Sequence, residues 1–454
     1  MVNLPAEFIA ETRRIMGEER FNRFLGAFDE EAPCSLRVNV SRKVECGMWN
    51  EDTHSVERVP WCTEGYYLQD RPQFTFDPLF HAGCYYVQEA SSMFITHILR
   101  SAYGNLIPHS TFHIPHSTFH IPQEFHTPQT ALDLCAAPGG KSTALRSVLP
   151  DDCVLVSNEP MGNRAQILLE NITKWGAPNC IVTNNYPRDF RKAKLKFDMI
   201  LCDVPCSGEG MFRKDPATIS EWSLQNVEKC WQLQRDIVAD AWECLNPGGL
   251  FIYSTCTFNT KENEENIRWI LENFDAEVLD IPVDPSWNIT GSLLEGFDAP
   301  VYRFIPGITR GEGLFACAMR KVSRNVALGS AASLVEECGM RNEDTLKKGI
   351  KSLKVLDTSN LIPHSSTSEA AEPSATFNIP HKVDLPYSEA LKYLRGEALV
   401  LPPDTPKGIV EITYKGQALG QAKNIGNRAN NLYPKAWRIK TTHLPTEEVK
   451  IINI

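Results

Sequence analysis

Short apolar runs bounded by Gly, Pro, Asn or Asp recur through the middle of the chain, at Thr130–Leu134, Cys153–Ser157, Cys180–Thr183, Phe197–Cys202 and Leu250–Ser254. Each has the length and the boundaries of a buried strand. Between them the apolar positions take up a helical period over Lys141–Leu149, Gly162–Trp175 and Leu224–Leu245, the last closed by Asn246-Pro247-Gly248-Gly249. This order predicts an α/β core: a mostly parallel sheet with helices on both faces. Ligands of such sheets bind at the carboxyl ends of the strands.

Repeats interrupt this pattern. Ile107-Pro108-His109-Ser110-Thr111-Phe112-His113 recurs verbatim at Ile114–His120, and related words stand at Asn360–Ser365 and Thr376–His381. A second word, Glu45–Thr53, returns at Glu337–Thr345 with Arg341 in place of Trp49. The two words can be written as opposite strands of one DNA sequence, so a short DNA repeat inserted in both orientations accounts for both. The insertions at 45–53, 105–128, 337–345 and 360–381 are expected at loops or linkers that tolerate extra chain. His109, His113, His116, His120 and His126 then reflect the repeat, and no metal site is expected of them, because ligands must converge from fixed scaffolding.

The 454 residues are 42% hydrophobic and 22% charged, which excludes a disordered or collagenous chain and leaves room for two to four domains. Nothing resembles a leader or a membrane span, so a cytoplasmic protein with no membrane partner is expected. The 14 cysteines are scattered without a Cys-x-x-Cys pair, which argues for reduced thiols. A net charge of −10 offers no global attraction to nucleic acid. The stretch from Lys382 to Lys440 is different: it holds ten Lys/Arg against five Asp/Glu, interleaved with Tyr387, Tyr393, Tyr414, Tyr433 and Trp437. Such a stretch suits phosphates and unpaired bases.

The first core strand runs into Asp133-Leu134-Cys135-Ala136-Ala137-Pro138-Gly139-Gly140-Lys141, a small-residue turn that opens a helix. A triphosphate-binding loop would need glycine at position 135, where Cys135 stands. Glu159 follows the turn by about twenty residues and can accept hydrogen bonds from a ribose diol, a pattern shared by dinucleotide and adenosylmethionine enzymes. Asp203-Val204-Pro205-Cys206 and Ser254-Thr255-Cys256 stand just past two further strand ends. Cys202, inside its strand, reads as structural, whereas Cys206 and Cys256 have the access that a thiolate nucleophile needs.

Together these stretches resemble the RNA cytosine-C5 methyltransferases, most closely their bacterial ribosomal-RNA branch. Cys135–Lys141, Asn158-Glu159, Asp203–Gly210, Ser254-Thr255-Cys256, and Arg303 with Gly311–Phe315 carry the likeness, joined by Ser35–Asn39, Val59-Pro60-Trp61 and Tyr86–Met93. It covers roughly residues 1–322 and, more weakly, the last 70. The resemblance implies a Rossmann-like core at 96–322, an N-terminal α+β RNA-binding extension at 1–95, a linker at 323–383 and a small β-rich RNA-binding domain at 384–454. It further implies S-adenosyl-L-methionine as cofactor, along Cys135, Ala136, Ala137, Pro138, Gly139, Gly140 and Lys141, with Glu159 on the ribose and Asp203 near the methyl end. Cys256 takes the place of the nucleophile that adds to cytosine C6, Asp203 holds the N3/N4 edge of the base, and Cys206 assists release. Ribosomal RNA or the small subunit is the implied partner; transfer RNA as substrate, and an inactive RNA-binding assembly factor, are the alternatives. Tyr186 stands where relatives usually carry Asp near the adenine.

Overall fold

The computed structural model describes residues 3–42, 56–104, 126–322, 346, 348–356, 381–441 and 443–452. The repeat segments lie outside these residues, apart from 126–128 and His381.

An antiparallel sheet comes first, with strands β1 (Cys34–Val38), β2 (Glu57–Arg58), β3 (Gly65–Leu68) and β4 (Tyr85–Val87) in the order β2-β3-β1-β4. The central sheet holds β5 (Thr130–Asp133), β6 (Val154–Asn158), β7 (Cys180–Thr183), β8 (Phe197–Asp203), β9 (Leu245–Thr255), β10 (Ala276–Val278), β11 (Tyr302–Phe304), β12 (Leu314–Lys321) and β13 (Val355–Leu356). Its order is β10-β12-β9-β8-β5-β6-β7-β13, with β11 on β12. The five strands from β5 to β9 are mutually parallel; β12 and β13 join antiparallel at either side. This is the α/β, Rossmann-like arrangement expected, because strands buried on both faces are near-continuous apolar runs. The apolar residues of β5, β8 and β9 divide by face between two clusters: Ala131, Leu201 and Ile252 on one, Leu132, Ile200 and Phe251 on the other.

Two local departures have plain causes. Asn246-Pro247-Gly248-Gly249, expected to end a helix outside the sheet, lies within β9. It is absorbed as an irregularity, in which Phe197 pairs with Leu245 and Met199 already with Leu250. Part of the expected linker belongs with the core: Val355 and Leu356 pair with Thr183 and Val182 of β7, and Leu346 and Leu353 are buried against the sheet cluster that includes Phe190 and Leu195.

A third sheet closes the chain, in the order β14 (His381–Asp384), β15 (Gly408–Tyr414), β16 (Gln417–Asn424) and β17 (Ala429–Asn431). Its apolar face does not close on itself. Val410, Ile412 and Leu419 share one buried cluster with Leu36, Val38 and Tyr85 of the first sheet. The N-terminal helices Ala6–Met16 and Glu18–Gly26 pack the other way, against the core: the rings of Phe8 and Phe212, and of Phe24 and Phe258, lie 5.1 Å apart in each case.

Arg37 links the first sheet to the core. It is fully buried, donates from Nε to Gln88 Oε1 (2.8 Å) and from its terminal nitrogens to Ser147 Oγ (2.8 Å) and Thr143 Oγ1 (2.6 Å), and stacks over Trp175. No helix among the described residues is long and apolar enough to cross a membrane.

Candidate active site

All the groups singled out at strand ends come to the carboxyl edge of the parallel sheet. Strand β5 delivers the Leu134–Gly140 turn, in which Gly139 takes a φ of +117° that side chains rarely adopt. The turn is tied from several sides: Ala136 N donates to Asn158 O (2.7 Å), Arg164 to Ala137 O (2.8 Å) and Asn171 to Pro138 O (2.8 Å). A Cβ on Gly140 would stand 3.3 Å from the Tyr86 ring, so residues from the first sheet crowd the same turn.

Beyond β6 comes Glu159, buried, with Oε1 accepting from Met161 N (2.9 Å). Its Oε2 makes no hydrogen bond, and Arg164 lies 3.3 Å away. A buried carboxylate oxygen that makes no hydrogen bond and is held only by the ion pair with half-exposed Arg164 can accept from a ribose diol. Tyr186 lies one strand further out, exposed, under the Arg188 guanidinium, and begins the Pro187–Lys192 helix.

Strands β8 and β9 run side by side with Asp203 opposite Ser254, so the loops after them carry Cys206 and Cys256 to one place. Their sulfurs are 3.3 Å apart. Asp203 accepts from Lys141 Nζ at Oδ2 (2.8 Å) and from Ser254 Oγ at Oδ1 (2.7 Å), which joins the glycine turn to the cysteine pair. Gly210 has no room for a side chain: a Cβ would stand 2.5 Å from Cys256 O, which its N–H meets at 2.7 Å.

The two thiols are unequal. A hydrogen bond from Cys206 S–H favours the thiolate of Cys256 and lowers its pKa against the opposing burial, with Lys141 assisting. The same bond, with burial, pushes the Cys206 thiol well up. The pair thus favours the thiolate on Cys256 and the proton on Cys206. Burial works against the Lys141 ammonium, but Asp203 outweighs it and holds the lysine above its usual value.

Sequence reasoning missed a pair of buried carboxylates under the cysteine loops. Glu209 Oε2 accepts from Phe258 N (2.7 Å) and Asn259 N (3.1 Å); Glu262 Oε2 accepts from Ser207 N (3.0 Å) and Gln234 (2.7 Å). The Asn259 amide bridges both acids. Together they bind the Cys206 loop to the Cys256 loop. In the sequence Glu262 is one of several acids preceding a helix, and nothing there marks it as buried. Arg303 likewise pairs with Glu264 in the interior and donates to Phe258 O (2.8 Å), while Glu89 accepts from the N–H of Ser91 and of Glu312 (2.9 Å each), tying separate stretches of the resemblance together.

Asp133, also missed, is fully buried, with Oδ2 accepting from Ser142 Oγ (2.6 Å) and Oδ1 without a hydrogen bond. Burial pushes its carboxyl up to about 7 from 3.8. Between those values the folded protein keeps a proton that the unfolded chain releases, so this contribution to stability is lost as pH rises through about 7. Buried His81 and His97, driven down to about 3 and about 4, act in the opposite sense, but below 6.5. The ligand-free Asp133→Asn protein, with an amide in place of the protonated acid, should therefore lose less stability than wild type between pH 6 and 8. A difference of about 1 kcal/mol, or about 1 °C in thermal midpoint, is expected. Identical slopes in the two proteins would contradict it.

A parallel sheet with a glycine turn, an acidic residue after the next strand and a thiol pair over two adjacent strand ends defines an enzyme of the methyltransferase class. Family profiles agree: one described as 16S rRNA methyltransferase RsmB/F matches residues 122–320, the N-terminal domain of 16S rRNA methyltransferase RsmF matches 4–90, and the methyltransferase RsmF PUA domain matches 380–439. The chain belongs to the RsmB/F methyltransferase family, with an RsmF-type N-terminal domain and a C-terminal PUA domain. It is 26% identical to the ribosomal RNA small subunit methyltransferase F of Enterobacter sp. (strain 638), over 96% of each chain. To the protein of that name from Pectobacterium atrosepticum it is 34% identical, over 70% of this chain and 63% of the relative. A methyltransferase homolog protein from Pyrococcus horikoshii shares the fold at a TM-score of 0.54 and 26% identity, covering 70% of this chain and all of that one. NSun6 from the same organism superposes at 0.55 with 20% identity, over 70% of this chain and 98% of that one. Among the described residues no cluster of metal-ligating side chains occurs.

Proposed function

We propose that this protein is an S-adenosylmethionine-dependent RNA cytosine-C5 methyltransferase acting on small-subunit ribosomal RNA. The observation that carries the reading is the 3.3 Å Cys206–Cys256 pair, with Asp203 and Lys141 beside it at the end of the glycine turn. The residues fit the cofactor: Glu159 Oε2 is a buried acceptor without a hydrogen bond, and the turn at Gly139-Gly140 presents backbone without side chains. Cys135–Lys141 would hold it, with Glu159 on the ribose and Asp203 near the methyl end.

Cytosine C5 is a poor nucleophile. The Cys256 thiolate adds to C6, and the displaced C5–C6 electron pair makes C5 enamine-like while Asp203 holds the N3/N4 edge. S-adenosylmethionine supplies the electrophilic methyl that C5 takes. Once Cys256 is bonded to carbon, the thiolate that held the Cys206 proton is gone, and with it the main cause of the raised Cys206 pKa. Cys206 releases its proton to solvent and, as thiolate, removes the C5 proton; the C5–C6 double bond re-forms and Cys256 leaves with its electron pair as the thiolate, which restores the starting protonation of the pair. The target base must be unstacked to reach two thiols on a sheet edge, and the basic stretch from Lys382 to Lys440 is suited to holding the RNA around it.

Bisulfite sequencing of ribosomal and transfer RNA from a deletion strain tests the reading. One cytosine of the small-subunit RNA should change from protected to converted and be restored by the wild-type gene. Loss confined to transfer RNA would move the substrate. Unchanged methylation everywhere would overturn the reading and favour an assembly factor without catalysis.

A further inference from the structure

Strand β13 occupies the edge of the central sheet beside β7, next to the strand end that leads to Tyr186. It belongs to a segment outside the stretches that match the family, and it is seated firmly on the core. Leu353 is buried, and a Cβ on Gly349 would stand 2.4 Å from Leu195 Cδ2. Leu356 packs on the cluster that holds Ala136 and Ala137 of the glycine turn.

Lys354 makes four hydrogen bonds to the two residues that follow β7. Its Nζ donates to Asn184 Oδ1 (2.6 Å), its N–H to Asn185 Oδ1 (3.0 Å), and its carbonyl accepts from Asn184 N (2.9 Å) and Asn185 Nδ2 (3.1 Å). Those asparagines are joined onward to the ribose end of the candidate site. Asn184 Nδ2 donates to Glu159 O (2.8 Å) and Pro160 O (3.0 Å). Asn185 N donates to Asn158 Oδ1 (3.0 Å), and Asn158 Nδ2 in turn reaches Leu134 O (3.0 Å) at the start of the glycine turn. An unbroken path of hydrogen bonds thus runs from Lys354 to both halves of the adenosine-binding edge.

We propose that the Lys354 segment is the outer wall of the cofactor site, and that Lys354 is a positioning residue, fixing Asn184 and Asn185 and through them Glu159. The inference rests on the cofactor reading above and extends it to a part of the chain that carries none of the family's site residues. Its effect falls on affinity for the adenosine half, because nothing in the path touches Cys206 or Cys256.

The test uses the full chain. Lys354→Ala removes one charge-assisted donor; Lys354→Pro removes that donor and the backbone N–H together. With a net worth of about 0.5–1.5 kcal/mol per hydrogen bond, KM and Kd for S-adenosylmethionine should rise about 3-fold and about 10-fold, with kcat changed by less than about twofold. Coupling is reciprocal, so saturating cofactor should slow amide hydrogen exchange over residues 348–356 of the wild-type protein by a similar factor. That second readout holds even if the proline variant fails to fold, and a purely structural wall would not show it. Glu159→Ala serves as reference. If Glu159→Ala loses cofactor affinity while the Lys354 variants keep it, or lose only kcat and thermal stability, the inference is overturned and the function stands. If wild type binds no S-adenosylmethionine in equilibrium dialysis, both are overturned.

Discussion

Cys256→Ala should abolish methyl transfer, lowering kcat by about 10⁴-fold or more, while affinity for S-adenosylmethionine stays close to wild type. The size follows from covalent catalysis: without addition at C6 the carbon to be methylated has no electron pair to offer, and no neighbouring group replaces the thiolate. Cys206 does not substitute, because it stands on the other loop, 3.3 Å from the Cys256 sulfur, on the side that serves the C5 proton rather than C6. Single-turnover transfer from radiolabelled cofactor to small-subunit RNA, alongside equilibrium dialysis of the cofactor, separates chemistry from binding. Retention of more than about a hundredth of the wild-type rate would place the nucleophile elsewhere.

The second large effect has the opposite signature. Cys206→Ala should still form the bond to C6 and still methylate, but cannot take the C5 proton, so the enzyme stays attached to its product. Turnover is expected to fall by about 10²–10⁴-fold, as for loss of a general base. A protein–RNA species that survives denaturing electrophoresis and requires S-adenosylmethionine should accumulate. The double variant Cys206→Ala, Cys256→Ala should show no such species. A Cys206→Ala protein that turns over normally, or stalls without a covalent complex, would contradict the division of labour between the thiols.

What the sequence made legible is what depends on local pattern. Strands β5 to β9 were visible as short apolar runs, and the glycine turn, Glu159 and the cysteine pair were visible because strand ends of a parallel sheet share one edge. Features that depend on distant partners were not. Lys354 reads as one lysine among several, and its role exists only because a two-residue strand lands beside β7. Asp133 looks like an ordinary residue of the turn until its burial leaves an oxygen without a partner. Glu209 and Glu262 need two loops folded together before either has a function. The Asn246–Gly249 turn signal was genuine: these residues have no partners in β8 and form the irregularity between Leu245 and Leu250, whose pairing with Phe197 and Met199 keeps the segment within the strand.

The shared cluster of the first and third sheets also governs how the chain is made. Leu36, Val38 and Tyr85 wait for Val410, Ile412 and Leu419, which leave the ribosome some 325–380 residues later. At roughly 5–20 residues per second that interval is about 16–76 s. Throughout it the N-terminal sheet lacks the half of that cluster that the third sheet supplies, and every repeat inserted between the two ends lengthens the interval. The apolar surface made first is thus among the last to be completed.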